Sequence, residues 1–168
     1  VMHDVGPDRV AQQAGEMGIE STLPAAMSLA LGSGEVTPLE LVNAYATFAA
    51  EGEVGKPVFI ESIDGKPEKA VVLEQVLRPE IAYLATSMMR SVVEEGTATP
   101  VKKLKREVAG KTGTSNSGKD AWFVGFTPDL LCVVWVGYDD NTPINLPGSR
   151  AALPIWIDFM KSALAGEK

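Results

Sequence analysis

The chain has 168 residues, is 45% hydrophobic and 22% charged, and carries a formal charge of -7 with a sequence pI of about 4.8. These values suit one globular domain with a sizeable core, and the acidic balance excludes a general nucleic-acid or anionic-membrane partner, since both select basic faces. The one cysteine, Cys132, cannot form an intrachain disulfide; with it and one histidine, His3, as the only soft ligands a zinc site is close to excluded, and a Ser-His-Asp triad would depend on a residue at the frayed chain start.

In chain order, Pro7 to Met17 predicts a helix, opened by proline in its first turn and closed by Gly18. Leu23 to Leu31 is an apolar stretch of undecided type, ended by Gly32-Ser33-Gly34. Thr37-Pro38-Leu39-Glu40 is a capping box with proline at the first helical position. The helix it opens runs through Leu41, Ala44, Tyr45, Phe48 and Ala49 to Gly52, with its apolar residues at core spacing. Val58 to Ile63, the dipeptide Asp64-Gly65 and Ala70 to Val76 predict a hairpin whose loop is lengthened by Lys66-Pro67. Pro79 to Glu95 predicts a long helix with Ile81, Leu84, Ala85, Met88, Met89 and Val92 on its core side. Gly96 stops it, and Thr97 to Pro100 turns the chain.

Lys102, Lys103, Lys105 and Arg106 form a short basic stretch that reads as a solvated helix face. Three strands follow, Glu107 to Ser115, Ala121 to Phe126 and Leu130 to Tyr138, and their short loops imply antiparallel neighbours. The last is almost continuously apolar, so both its faces should be covered, and Cys132 within it reads as a buried, inert thiol. A final helix, about Ala151 to Leu164, should turn Ile155, Trp156, Phe159 and Met160 toward the sheet. No signal peptide, lipidation motif or apolar run of the roughly 20 residues that span a bilayer is found. The start at Val1, in mid-pattern, suggests a processed or excised piece of a longer protein.

Chemistry concentrates at residues 110 to 120, where three readings compete. Gly113 to Lys119 matches part of a phosphate-binding loop, but Asp120 stands where that loop needs Ser or Thr for Mg²⁺, and a strand follows where it needs a helix. The plain reading is a polar hairpin loop after a strand with an exposed Lys111. The functional reading takes Lys111 as a fixed cation for a carboxylate and the Thr112 and Thr114 hydroxyls as its hydrogen-bond partners. In it, Gly113 permits close approach of a substrate backbone, and the Thr114 N–H is a donor to a developing oxyanion.

Lys111-Thr112-Gly113-Thr114-Ser115-Asn116 followed by Asp120-Ala121-Trp122-Phe123-Val124-Gly125-Phe126-Thr127-Pro128-Asp129 resembles the transpeptidase domain of class A, bifunctional penicillin-binding proteins. Trp135-Val136-Gly137-Tyr138-Asp139, Pro154-Ile155-Trp156, Ala30 to Leu41 and Gly96-Thr97-Ala98 resemble the same family in the same order, from about Gly6 to Met160.

The resemblance implies an α+β fold. Its antiparallel sheet, of which this chain holds three strands, is packed with helices, and a small β-hairpin is added. It implies a D,D-transpeptidase that cross-links peptidoglycan stem peptides ending in D-Ala-D-Ala, through an acyl-serine that β-lactams also form. Lys111, Thr112 and Thr114 would then bind the substrate or drug carboxylate, Gly113 would be the close-approach residue, and the Thr114 N–H would be an oxyanion donor. No cofactor and no metal are implied, and the parent would work at the extracytoplasmic face of the bacterial inner membrane.

The family also needs a Ser-x-x-Lys and a Ser-x-Asn, and neither occurs here. Residues 1–168 therefore read as the C-terminal part of such a domain, expected to be inactive alone. The last strand would be left with an open edge that pairs with the missing N-terminal part or with another copy. A non-catalytic binding or scaffold module of the same fold is the alternative.

Overall fold

Glycines set the lengths of the first helices. Gly6, at φ 88, separates α1 (Met2–Val5) from α2 (Pro7–Glu16), which opens on Pro7 as its spacing predicts. The structure, a computed structural model, describes residues 1–67 and 70–166. The undecided stretch at 23–31 is irregular chain leading into a 3-10 helix, Met27–Leu31, which Gly32 ends in the left-handed region.

α3 (Pro38–Ala49) carries the complete capping box. The Glu40 N–H donates to Thr37 Oγ1 at 3.2 Å, and the Thr37 N–H donates to Glu40 Oε2 at 2.7 Å. The same carboxylate accepts the backbone N–H groups of Glu20 and Ser21 and the Ser21 hydroxyl, at 2.9, 2.6 and 2.9 Å. One side chain thus caps the helix and ties the preceding connection to it. The Thr37 N–H, followed by the Ser21 hydroxyl, holds the Glu40 carboxyl at about 2, against an ordinary value of 4.5. A carboxyl depressed in the folded state stabilises above its unfolded pKa and loses that contribution as pH falls. The melting-temperature gap between the chain and its Glu40→Gln variant is therefore expected to be full at pH 6 and to close between about pH 4.5 and pH 2. A gap that is constant over that range would contradict the assignment. Thr37→Ala should cost about 1 kcal/mol at pH 6.

β1 (Glu53–Val54), β2 (Ser62–Ile63), β3 (Lys66–Pro67) and β4 (Glu74–Gln75) correct the predicted hairpin. Asp64 and Gly65 do make the turn, at φ 50 and 75, but it joins only β2 to β3. Pro67 has no N–H to lengthen that ladder. The segment expected to pair across the turn instead reaches β1, with Glu53 opposite Gln75 and Val54 opposite Glu74. Residues 68 and 69 of the expected loop lie outside the described residues.

α4 (Pro79–Glu94) buries Ala82, Met89 and Val93. Met89 belongs to the predicted stripe, but the rest of the buried face is shifted to Ala82 and Val93, because two adjacent apolar stripes satisfy the helical period. Ile81, Leu84 and Met88 are 40, 56 and 67% exposed, while Ala85 and Val92 are half-buried. The basic stretch occupies a 3-10 helix, Thr99–Leu104, and its C-cap rather than a helix face of its own. Lys102 and Lys103 are exposed, but Arg106 is half-buried and donates to the Leu164 carbonyl at 3.3 Å.

β5 (Ala109–Thr114), β6 (Ala121–Phe126) and β7 (Leu131–Val136) form one antiparallel sheet in that order. β6 runs between the other two and is the most buried. The turn into β7 is closed by Thr127, whose hydroxyl accepts the N–H groups of Asp129 and Leu130 at 3.3 and 3.2 Å. α5 (Ala152–Ala163) packs on β6 and β7, and α4 lies against β5. The main core joins Phe123 of β6 to Leu153, Trp156 and Met160 of α5, with Val93, Ala98, Val101 and Val108. A smaller cluster of Met89, Ala109 and Phe126 is flanked by Tyr45 and Phe48 of α3.

Two further expectations need correction. On α5, Ile155 and Phe159 are 52 and 49% exposed, and the buried stripe is completed by Leu153 and Leu164. On β7, Cys132, Val134 and Val136 pack toward α5 and Leu131 toward α3, so both faces are met, yet no residue of the strand is fully buried. β7 has no strand partner beyond it among the described residues.

Candidate functional site

The tetrapeptide Lys111 to Thr114 is a strand, as its sequence setting predicts, and that strand is the other edge of the sheet. Along an extended strand, successive N–H groups point to opposite edges. The Ser115 N–H donates inward to the Asp120 carbonyl at 3.0 Å, continuing the β5–β6 ladder. The N–H and C=O groups of Thr114 and Thr112 therefore point to the open edge. The Lys111 ammonium curls to the same edge and donates to the Thr112 carbonyl at 2.7 Å. Lys111 is exposed and makes no ion pair among the described residues. The edge thus offers a cation without a counter-charge among the described residues and an outward amide within one tetrapeptide.

Both threonine hydroxyls are engaged from outside the strand. The Gly148 N–H donates to Thr114 Oγ1 at 3.0 Å, and Thr112 Oγ1 lies 2.8 Å from Thr97 Oγ1. Gly148 has no alternative residue type, because a Cβ there would stand 2.4 Å from the carbonyls of both Gly113 and Trp122. Gly113 has a neighbour of its own, since an added Cβ would come within 3.2 Å of Trp122 Cβ. Trp122 and Trp135 lie opposite each other on that face with ring centroids 6.1 Å apart, and the Trp135 indole N–H donates to Asp120 Oδ1 at 2.9 Å.

Residues 115–120 form the hairpin loop between β5 and β6, so the phosphate-loop reading fails on topology. Ser115 Oγ accepts the N–H groups of Lys119 and Asp120 at 3.0 and 2.9 Å. The Gly118 carbonyl accepts the N–H groups of Ile144 and Asn145 at 2.9 and 3.0 Å, which pins the loop that carries Gly148 beside β5. Cys132 is half-buried, burial pushes its thiol up, and it plays no part at this edge. His3 is exposed in the single turn of α1.

The site is an open edge and not a cavity. Two hollows among the described residues lie elsewhere: one of about 260 Å³ between α2, α3 and the chain that joins them, and one of about 670 Å³ between α3 and the chain around β1 and β4. Thr97 and Gly148 are the site residues that sequence reasoning missed. Thr97 stood in Gly96-Thr97-Ala98, a string the resemblance had already marked, while Gly148 had only its place after Pro147.

A helix-flanked antiparallel sheet whose Lys-Thr-Gly-Thr strand is an edge defines the class. The chain belongs to the penicillin-binding protein transpeptidase domain family, which it matches over residues 4–161. It is 44% identical to penicillin-binding protein 1A of Aquifex aeolicus over 96% of its length, and 36% identical to penicillin-binding protein 1A of Neisseria meningitidis over 100%. It spans 23% of each of these relatives. Among solved structures, penicillin-binding protein 1A from Haemophilus influenzae superposes with a TM-score of 0.81 at 27% identity, over 99% of this chain and 32% of that one. The α+β fold and the antiparallel sheet read from sequence agree with these neighbours.

Proposed function

We propose that residues 1–168 are the C-terminal part of a D,D-transpeptidase domain and that β5 is its substrate rail. Peptidoglycan stem peptides and β-lactams are its ligands. The observation that carries this reading is the open edge of β5, with an ammonium that no carboxylate among the described residues neutralises and an outward Thr114 amide.

A stem peptide lies antiparallel along that edge. Lys111 neutralises its terminal carboxylate, and the Thr112 and Thr114 hydroxyls donate to the carboxylate oxygens. Gly113 keeps the surface flat at the scissile peptide. The Thr114 N–H donates to the carbonyl oxygen as a serine from the upstream part of the domain attacks it. That oxygen becomes an anion in the tetrahedral intermediate, and a preset donor stabilises it more than it does the ground state. Departure of the terminal D-Ala amine leaves an acyl-serine, which an amine of a neighbouring stem resolves. The parent acts at the extracytoplasmic face of the inner membrane. Among the described residues of this chain, no helix is long and apolar enough to cross one.

The chain itself has the rail and not the nucleophile. Ser115, the nearest serine in sequence, spends its oxygen on two backbone N–H groups. Incubated alone with a labelled penicillin, the 168-residue chain is expected to keep its unmodified intact mass. Co-expressed with the upstream segment that carries Ser-x-x-Lys and Ser-x-Asn, the reconstituted domain should take up one acyl group per serine nucleophile. A stable adduct on the chain alone would refute the division of labour.

A further inference from the structure

Gly96-Thr97-Ala98 has a place in this site that the rail alone does not explain. We infer that Thr97 is a positioning residue, whose hydroxyl sets Thr112 as a hydrogen-bond donor to the ligand carboxylate. The inference rests on the carboxylate reading of β5 proposed above.

Each residue of the tripeptide has a separate physical task. The Gly96 and Ala98 N–H groups both donate to the Val92 carbonyl, at 3.2 and 3.1 Å, in a tight turn at the end of α4. A Cβ at Gly96 would stand 2.9 Å from the Val92 Cα and carbonyl oxygen, so the turn needs glycine. Ala98 is fully buried in the main core. Thr97 is held between these two anchors, and its hydroxyl meets Thr112 Oγ1 at 2.8 Å across 15 residues of sequence.

Proton counting then fixes a direction. A hydroxyl has one proton to donate and two lone pairs to accept with, whereas a carboxylate only accepts. When Thr112 gives its proton to a carboxylate, its contact with Thr97 survives only if Thr97 is the donor. The chain runs from the Thr97 hydroxyl to Thr112 and on to the ligand, and a hydroxyl that accepts one bond donates a stronger one. Thr114 is prepared in the same sense, because the Gly148 N–H fills one of its acceptor positions. Two hydroxyls that are already accepting are left to donate, and such a donor bonds a charged carboxylate about twice as strongly as a neutral ester carbonyl. Thr97 thereby contributes to the preference for an anionic peptide end.

The test uses the complete transpeptidase that contains this chain. Second-order acylation rates are measured with a penicillin and with its carboxylate methyl ester. Thr97→Val is expected to slow acylation by the free acid about tenfold. The same variant should leave the ester rate within about twofold of wild type, and Thr97→Ser should restore the acid rate. A purely structural role would slow acid and ester alike. Thr97→Ala gives the same readout if valine does not fold, as judged by the melting temperature. An acid rate unchanged in folded Thr97→Val or Thr97→Ala, or an equal loss on both substrates, overturns the inference. Lys111→Ala, run in parallel, separates the two levels. If it too fails to distinguish acid from ester, the carboxylate reading of β5 falls. If it does distinguish them while Thr97→Val does not, only the role of Thr97 falls.

Discussion

Replacing Thr114 by proline in the complete transpeptidase is expected to lower penicillin acylation by about 10²–10³-fold while leaving the sheet folded. Most prolines inside a sheet destroy a ladder hydrogen bond. Here the geometry predicts otherwise, because the Thr114 N–H points away from β6 and a proline on an edge with its missing N–H outward is tolerated. The residue before a proline prefers extended backbone, which Gly113 already has within β5. The substitution therefore subtracts the proposed oxyanion donor and the hydroxyl together. Thr114→Val, which keeps the N–H, isolates the hydroxyl and should cost far less, about tenfold or below. Time courses of labelled-penicillin uptake measure the loss, and a thermal melt verifies folding. A folded Thr114→Pro enzyme that acylates at the wild-type rate would remove this amide from the mechanism.

The largest stability effect is expected at Trp156→Ala, about 3–5 kcal/mol in urea denaturation of this chain. Trp156 is fully buried, stacks edge-on against Phe123 with ring centroids 5.0 Å apart, and donates its indole N–H to the Cys132 carbonyl at 3.0 Å. Truncation opens a cavity and removes the indole's hydrogen bond to that carbonyl. Gly125 shows how closely the ring is seated, since a Cβ there would stand 2.9 Å from Trp156 Cζ2 and 2.8 Å from Phe123 Cε1. Ile155→Ala and Phe159→Ala on the same helix should each cost less than half as much, because about half of each side chain is already in solvent. Equal losses at all three positions would show that the helix packs differently from the arrangement described here.

The candidate site was legible in part. Lys111 to Thr114 was readable because its chemistry is local: a cation, two hydroxyls and a glycine in one strand, set before a polar loop and two apolar runs. The Thr37–Glu40 capping box was readable for the same reason. The second partners of Glu40, at Glu20 and Ser21, were not, because nothing in the spacing forces a loop to fold back on a helix start. Thr97 and Gly148 belong with these. Each reaches β5 from a distant connection, and a hydroxyl–hydroxyl or amide–hydroxyl contact leaves no periodic trace in sequence.

The errors have one origin. On α4 and α5, helical periodicity found apolar residues correctly but could not say which of two neighbouring stripes faces the sheet. In the arm around Asp64-Gly65, turn chemistry placed the bend, and β1, far upstream, decided the pairing of β4.

What the sequence determined by itself was therefore governed by neighbours a few residues apart: the starts of α2, α3 and α4, the turn at Asp64-Gly65 and the three strands of the sheet. Tertiary structure alone decided which stripe is buried, which edge of β5 stays open, and which remote hydroxyl and amide complete its threonines. The division is physical. Backbone sterics and capping bonds act within a turn or two of chain, whereas burial and edge exposure depend on the whole set of packed elements.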